Sequence, residues 1–239
     1  MNRIAIAVLL VTSCVALRLM GSVTDAQIKI AIIRSGQFVD NSDLASRTFD
    51  RAEACCEGDT NRFARILFEL AQTNNVRIAD RMIRCLGWYG TPAQLPFLYS
   101  MATNVQHGSE AVKSILRLEG VTSNSLNLAG TYLSMTNADL VSRAKVCEAM
   151  LLSAANINLP NSVRQSAKNM VYEYTMQANG SVMYMDYVLT NGDPSYRFSK
   201  RRLAVMRSVS ALGVHPSSAS YVTNAINELV AYPEADLPE

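Results

Sequence analysis

The chain has little of what catalytic sites are usually built from. It contains two histidines, His107 and His215, and the sequence sets no Ser, Asp or Cys partner beside either. Both fall in or beside expected inter-helix turns, where capping or plain exposure is the preferred reading over catalysis. No Cys-x-x-Cys and no Cys/His cluster has the spacing of a metal site. No catalytic or nucleotide-binding motif stands out, so no catalytic, cofactor or metal residue is assigned. An excess of one charge is lacking too. The 22 Lys and Arg against 20 Asp and Glu leave a net +2, too small a surplus for the counterion release behind non-specific nucleic-acid binding. No nucleic-acid partner is expected.

What the chain does have suits a globular fold. Its 239 residues are 49% hydrophobic and 18% charged, enough to bury a sizeable core. The N-terminus is the clearest statement about function. Asn2-Arg3 is a positive start, Ile4 to Leu17 an apolar run broken by Thr12, Ser13 and Cys14, and Arg18 closes it. Such a run is short for a bilayer span, so an export signal is the first reading. Cleavage would follow Ala26, with Thr24 and Ala26 as its small residues, or Ala16. Val11-Thr12-Ser13-Cys14 also resembles a bacterial lipobox, which would make Cys14 a lipidated N-terminus, although the apolar run continues past it. The expected localisation is extracytoplasmic, with membrane contact only through this segment. Residues 1–26 are read as signal, 27–231 as one helical domain, and 232–239 as a frayed acidic tail.

Four further cysteines remain. Cys85 and Cys147 lie beside apolar helix faces and read as small hydrophobes. The adjacent Cys55-Cys56 would be strained as a disulfide, and no nearby residue completes a metal site, so packing is preferred there as well.

Downstream, apolar residues recur at helical spacing. The central stretch is Val76 to Leu98. Ile78, Met82, Ile83 and Leu86 give one apolar face, Gly87 and Gly90 are expected to stop the helix, and Thr91 with Pro92 to start the next. Residues 26–40 alternate ambiguously between helix and strand and are read as helix. The acidic run from Asp40 to Asp59 matches no calcium loop and reads as a solvated face. Further helices are marked by Phe63 to Leu70, by Val112 to Leu116 after Ser109, and by Leu128 to Met135 after Ser125. Others are marked by Leu140 to Ala154, Val163 to Tyr174, Val182 to Leu189 up to a break at Gly192-Asp193-Pro194, Leu203 to Leu212, and Val222 to Leu229. No convincing strand hairpin is visible.

A shift of 33 residues sets Arg84-Cys85-Leu86-Gly87 on Arg117-Leu118-Glu119-Gly120, Leu95 on Leu128, Tyr99 on Tyr132, and Thr103-Asn104 on Thr136-Asn137. Gly213 matches Gly120 in a further copy. Such periods belong to helical arrays whose units bury their faces against neighbours. Val76-Arg77, Ala79, Leu86-Gly87, Gly90, Pro92 and Leu95-Pro96-x-Leu98 resemble a short HEAT-like repeat, with Thr91 where that family often carries Asp. Val163-Arg164, Ala167 and Met170 are a weaker echo. The resemblance implies an all-α, right-handed α-solenoid of antiparallel helix pairs, a scaffold used mostly to bind proteins, although some relatives are enzymes.

Candidate partner-binding residues follow from side-chain type. Trp88 and Tyr89 sit near the central turn, and aromatics dominate interface hot spots. Residues 172–198 hold five of the ten tyrosines with three methionines among them, of which Tyr184, Tyr187 and Tyr196 are selected. Arg201 and Arg202 belong to the only basic run and would suit an acidic partner. Each group has a plainer alternative: packing for the aromatics, a solvated face for the arginines. The leading expectation is an exported, non-enzymatic protein-binding scaffold. The alternatives are an enzyme or cofactor-binding module using residues 172–198, and a structural surface lipoprotein.

Overall fold

The computed structural model describes residues 23–35, 50–56, 58–176, 182–213, 218–233 and 237. The helices are α1 (Asp25–Ser35), α2 (Thr60–Ala71), α3 (Val76–Tyr89), α4 (Leu95–Met101), α5 (Gly108–Leu118), α6 (Ser123–Ser134), α7 (Leu140–Ala154), α8 (Asn161–Met176), α9 (Val182–Gly192), α10 (Lys200–Leu212) and α11 (Ala219–Val230). Residues 50–54 are helical too, and no strand occurs among the described residues. The protein is all-α. Residues 1–22 of the export segment, Cys14 among them, and most of the acidic run lie outside the described residues. No described helix is long and apolar enough to cross a membrane.

The chain divides into two compact units, one ending at Gln94 and one starting at Leu95. The boundary cuts the Val76–Leu98 stretch that sequence joined into a single helix-turn-helix. In the first unit α1 packs on α2, and α2 on α3. α2 buries Phe63, Ile66, Leu67 and Leu70, and α3 buries Ala79, Met82, Ile83, Leu86 and Gly87. Both start on side-chain caps. Asp59 accepts from the Arg62 N–H at 2.9 Å, and Asn75 from the Ile78 N–H at 3.2 Å.

Gly87 does not stop α3. The helix runs through it to Tyr89, and Gly90 ends it in extended backbone, φ −75°, with its N–H on the Leu86 carbonyl. Gly87 is a core position without a side chain rather than a terminator. Thr91 is not a side-chain cap accepting from the following helix either. Its N–H and hydroxyl donate to Gln94 Oε1 at 2.8 and 2.9 Å, and a 3₁₀ turn, Pro92–Gln94, precedes α4.

The second unit shows why a helical array was legible. Helices two apart touch in two rows, α5 with α7, α7 with α9 and α9 with α11, then α6 with α8 and α8 with α10. Adjacent helices pack as well from α4 to α9, and α10 packs on α11, so faces are closed both by sequence neighbours and by helices further along. α7 lies at the centre, against α5, α6, α8, α9 and α10. It buries Ala144, Val146, Cys147, Glu148, Met150, Leu151 and Ala154. These positions go around the helix instead of forming one stripe, as expected of a helix surrounded by others.

Two helix starts differ from expectation. α5 opens at buried Gly108, where a Cβ would stand 2.7 Å from both the Ala102 carbonyl oxygen and the Tyr132 ring. Thr122, not Ser125, caps α6. Thr122 Oγ1 accepts from the Ser125 N–H at 3.1 Å, and the Thr122 N–H donates to Ser125 Oγ at 2.8 Å, a reciprocal capping box. Gly120 and Gly213, aligned as repeat positions, do share a positive φ, 79° and 84°, just past their helices. They follow α5 and α10, however, which fall in different rows, so the match is a shared helix ending and not a repeat register. Gly87, the third aligned glycine, is inside its helix. Near the C-terminus, Leu237 is buried in one cluster with Leu203 and Leu229.

Candidate functional site

The Tyr/Met-rich segment and the basic run meet in the second unit, mostly indoors. Asp193 accepts from the Ser195 N–H at 3.1 Å and starts the 3₁₀ turn Pro194–Tyr196. Ser199 then caps α10, accepting from the Arg202 N–H at 3.1 Å while donating to the Tyr196 carbonyl at 2.8 Å. These caps set the register that aims Tyr196, Arg201 and Arg202 inward.

Arg201 and Arg202 are consecutive on α10, so their side chains leave it about 100° apart and reach different helices. Arg201 grips Glu148 of α7, Nε to Oε1 at 2.5 Å and Nη2 to Oε2 at 3.0 Å, with Asp193 at 3.6 Å. Its guanidinium also lies 5.0 Å from the centre of the Tyr196 ring, within reach of a cation–π attraction. Arg202 donates to both carboxylate oxygens of Asp186 on α9, at 2.8 to 3.1 Å. It also reaches the Arg197 carbonyl at 3.0 Å and Glu228 of α11 at 3.2 Å. The Tyr221 hydroxyl donates to Asp186 as well. Two buried carboxylates thus each face an arginine, and five elements are tied together.

The electrostatics follow from burial and pairing. Burial works against the charge on both arginines, but bonds to Glu148 and to Asp186 outweigh it and hold both guanidinium pKa values above the ordinary range. Burial, then the bond to Asp186, pushes the Tyr221 phenol up to about 12. Tyr196 is 1% exposed, and burial, with Glu148 and Asp186 adding to it, raises its phenol well above the usual value. Among the described residues its hydroxyl has no hydrogen-bond partner.

The predicted partner-binding residues therefore separate. Tyr196 and Arg202 are interior, and Arg201 is engaged with Glu148; the basic run is not a simple solvated face. Tyr184 is half-buried. Tyr187 is 65% exposed on α9, one turn from Met183, which is 43% exposed. In the first unit Trp88 is 66% exposed. Tyr89 is half-buried and lies edge-on to Phe63, ring centres 5.3 Å apart. Its hydroxyl donates to Asp50 at 3.3 Å. Burial, then the Asp50 charge, pushes that phenol up to about 12.

Residues 177–181 and His215 lie outside the described residues, as do the side chains of Tyr172, Tyr174 and Met176. His107 is half-buried just before α5. Cys55, Cys56 and Cys147 are buried and none of the four described cysteines is in a disulfide, in line with packing roles. No cluster of three or more potential metal ligands occurs among the described residues.

Sequence reasoning missed Glu148, Asp186, Tyr221 and Glu228. A signal was there for two of the three acids. Asp186 stands four residues after Val182 and three before Leu189, and Glu148 four after Ala144 and three before Leu151. An acid on an apolar helix face is a buried charge needing a partner. Compared with known families, with curated proteins and with solved structures, the chain matches none.

Proposed function

We propose that this chain is an exported scaffold that binds another protein without catalysing a reaction, its helices stacked as antiparallel pairs in a right-handed solenoid. The observation that carries the binding role is the exposed Met183–Tyr187 pair on α9. These side chains lie one turn apart on a helix whose other face buries Val182, Met185, Asp186, Val188 and Leu189. An adaptable thioether beside a rigid aromatic with a polar tip suits a protein partner. Exposed Trp88 offers a separate anchor on the first unit. The acids and arginines nearest this segment neutralise one another inside the fold, which favours a framework role for them over acid–base chemistry.

A photo-crosslinking residue at position 187, in protein expressed in its native cell, tests the reading. One discrete crosslinked species in the extracytoplasmic fraction is expected, lost when Met183 is changed to Asp. The same species in equal amount from exposed Ala204 and Ser210 on α10 would argue against a specific surface. Recovery of the protein only from the cytoplasm would remove the export part of the proposal.

A further inference from the structure

α1 begins inside the segment that export processing would remove if the cut followed Ala26. Thr24 and Gln27 form the start of that helix. The Thr24 N–H donates to Gln27 Oε1 at 2.9 Å, and the Gln27 N–H returns to Thr24 Oγ1 at 3.4 Å, in the pattern of a capping box. Asp25 stands in the first turn, where a carboxylate is favoured by the helix dipole.

Two arginines of α2 hold this same stretch. Arg62 donates from Nη2 to the Val23 carbonyl at 2.6 Å and from Nε to Asp25 Oδ1 at 2.8 Å. Arg65 donates to Asp25 Oδ2 at 2.8 Å. The hydrogen bond from Arg62 is the main reason the Asp25 carboxyl is held below its ordinary pKa, in spite of some burial. Val23 is itself buried, as are Ile28 and Ile32 further along α1. A cut after Ala26 would delete the cap, the first-turn acid and the three acceptor atoms that face Arg62 and Arg65. It would also put a positive α-amino group on Gln27, at the end of the helix where positive charge is disfavoured.

We infer that Val23 to Ala26 belong to the mature folded domain, and that export processing cuts the chain before Val23. The inference rests on the export reading above and replaces cleavage after Ala26 with an upstream site. The test uses protein recovered from the extracytoplasmic fraction of cells expressing the full chain, as wild type and as Asp25→Asn. N-terminal sequencing with intact mass should place the first residue at Val23 or earlier, and Asp25→Asn should lower the melting temperature by about 2 °C or more. A first residue at Gln27, or equal melting of the two forms, overturns it. Full-length protein starting at Met1 in the cytoplasm defeats the export reading instead. In that case melting of the Asp25→Asn chain still decides whether residues 23–26 are part of the folded unit.

Discussion

Arg202 and Asp186 meet inside the second unit, Nη2 to Oδ2 at 2.8 Å and Nε to Oδ1 at 3.0 Å. Both side chains are almost fully withdrawn from solvent. Removing Asp186 leaves the buried Arg202 guanidinium with only Glu228, a more exposed carboxylate at 3.2 Å, as counter-charge. Asp186→Ala is expected to cost about 3–5 kcal/mol, read as a lower urea midpoint. Tyr221→Phe removes one bond to a charged carboxylate but leaves the ion pair in place, and should cost less, about 1.5–3 kcal/mol. Equal losses from the two would show that the ion pair is not the dominant element.

Tyr196 makes a prediction of opposite sign. Its hydroxyl is buried without a partner among the described residues, so it carries a desolvation penalty that nothing repays. Tyr196→Phe should keep the ring packing and the contact with Arg201, and leave the unfolding midpoint unchanged or raise it by about 1 kcal/mol of stability. A clear loss would mean that the hydroxyl is bonded in solution.

Gly108 is close-packed rather than flexible. A Cβ there would meet the Ala102 carbonyl oxygen and the Tyr132 ring at 2.7 Å. The side chain cannot swing away from a backbone atom, so Gly108→Ala is expected to destabilise by about 1–3 kcal/mol despite the better helix propensity of alanine. Gly130→Ala is the comparison. There the nearest atoms are the flexible Met170 side chain at 3.3 Å, and the loss should be smaller. The check is the difference between the two urea midpoints.

Alkaline pH should weaken the second unit. Burial pushes the Cys147 thiol from 9.0 up to about 12, and burial with the bond to Asp186 pushes Tyr221 from 10.0 up to about 12. Each group holds its proton more tightly folded than unfolded. The stability linked to them is therefore intact below about pH 9 and is lost as pH rises toward about 12. Urea midpoints should fall steadily between about pH 9 and pH 11, and less so in Cys147→Ala relative to its own value at pH 8. Iodoacetamide should label Cys147 only after unfolding, since the thiolate is the reactive form; rapid labelling of folded protein would refute its burial.

The sequence by itself determined what local physics decides. A helical period in Phe63 to Leu70, Ile78 to Leu86 or Leu203 to Leu212 marks a face whatever lies opposite, because apolar positions repeat with the turn of the helix. The break at Gly192-Asp193-Pro194 was equally legible, since Asp193 caps the turn through its own side chain. The helical array implied that sequence neighbours pack, and in the second unit most of them do. Tertiary structure alone decided which neighbours close each face. Tyr196 and Arg202 read as surface recognition residues because aromatic and basic types are usual there, yet carboxylates 16 and 53 residues away from the arginines draw this region inside. Asp25 falls within the segment read as a signal, and its bond to Arg62, 37 residues on, is visible only in the fold. The positions of α3 and α4 in separate units were hidden for the same reason. Helix periodicity reports the face a segment buries, while the partner that buries it lies too far along the chain for any local pattern to record.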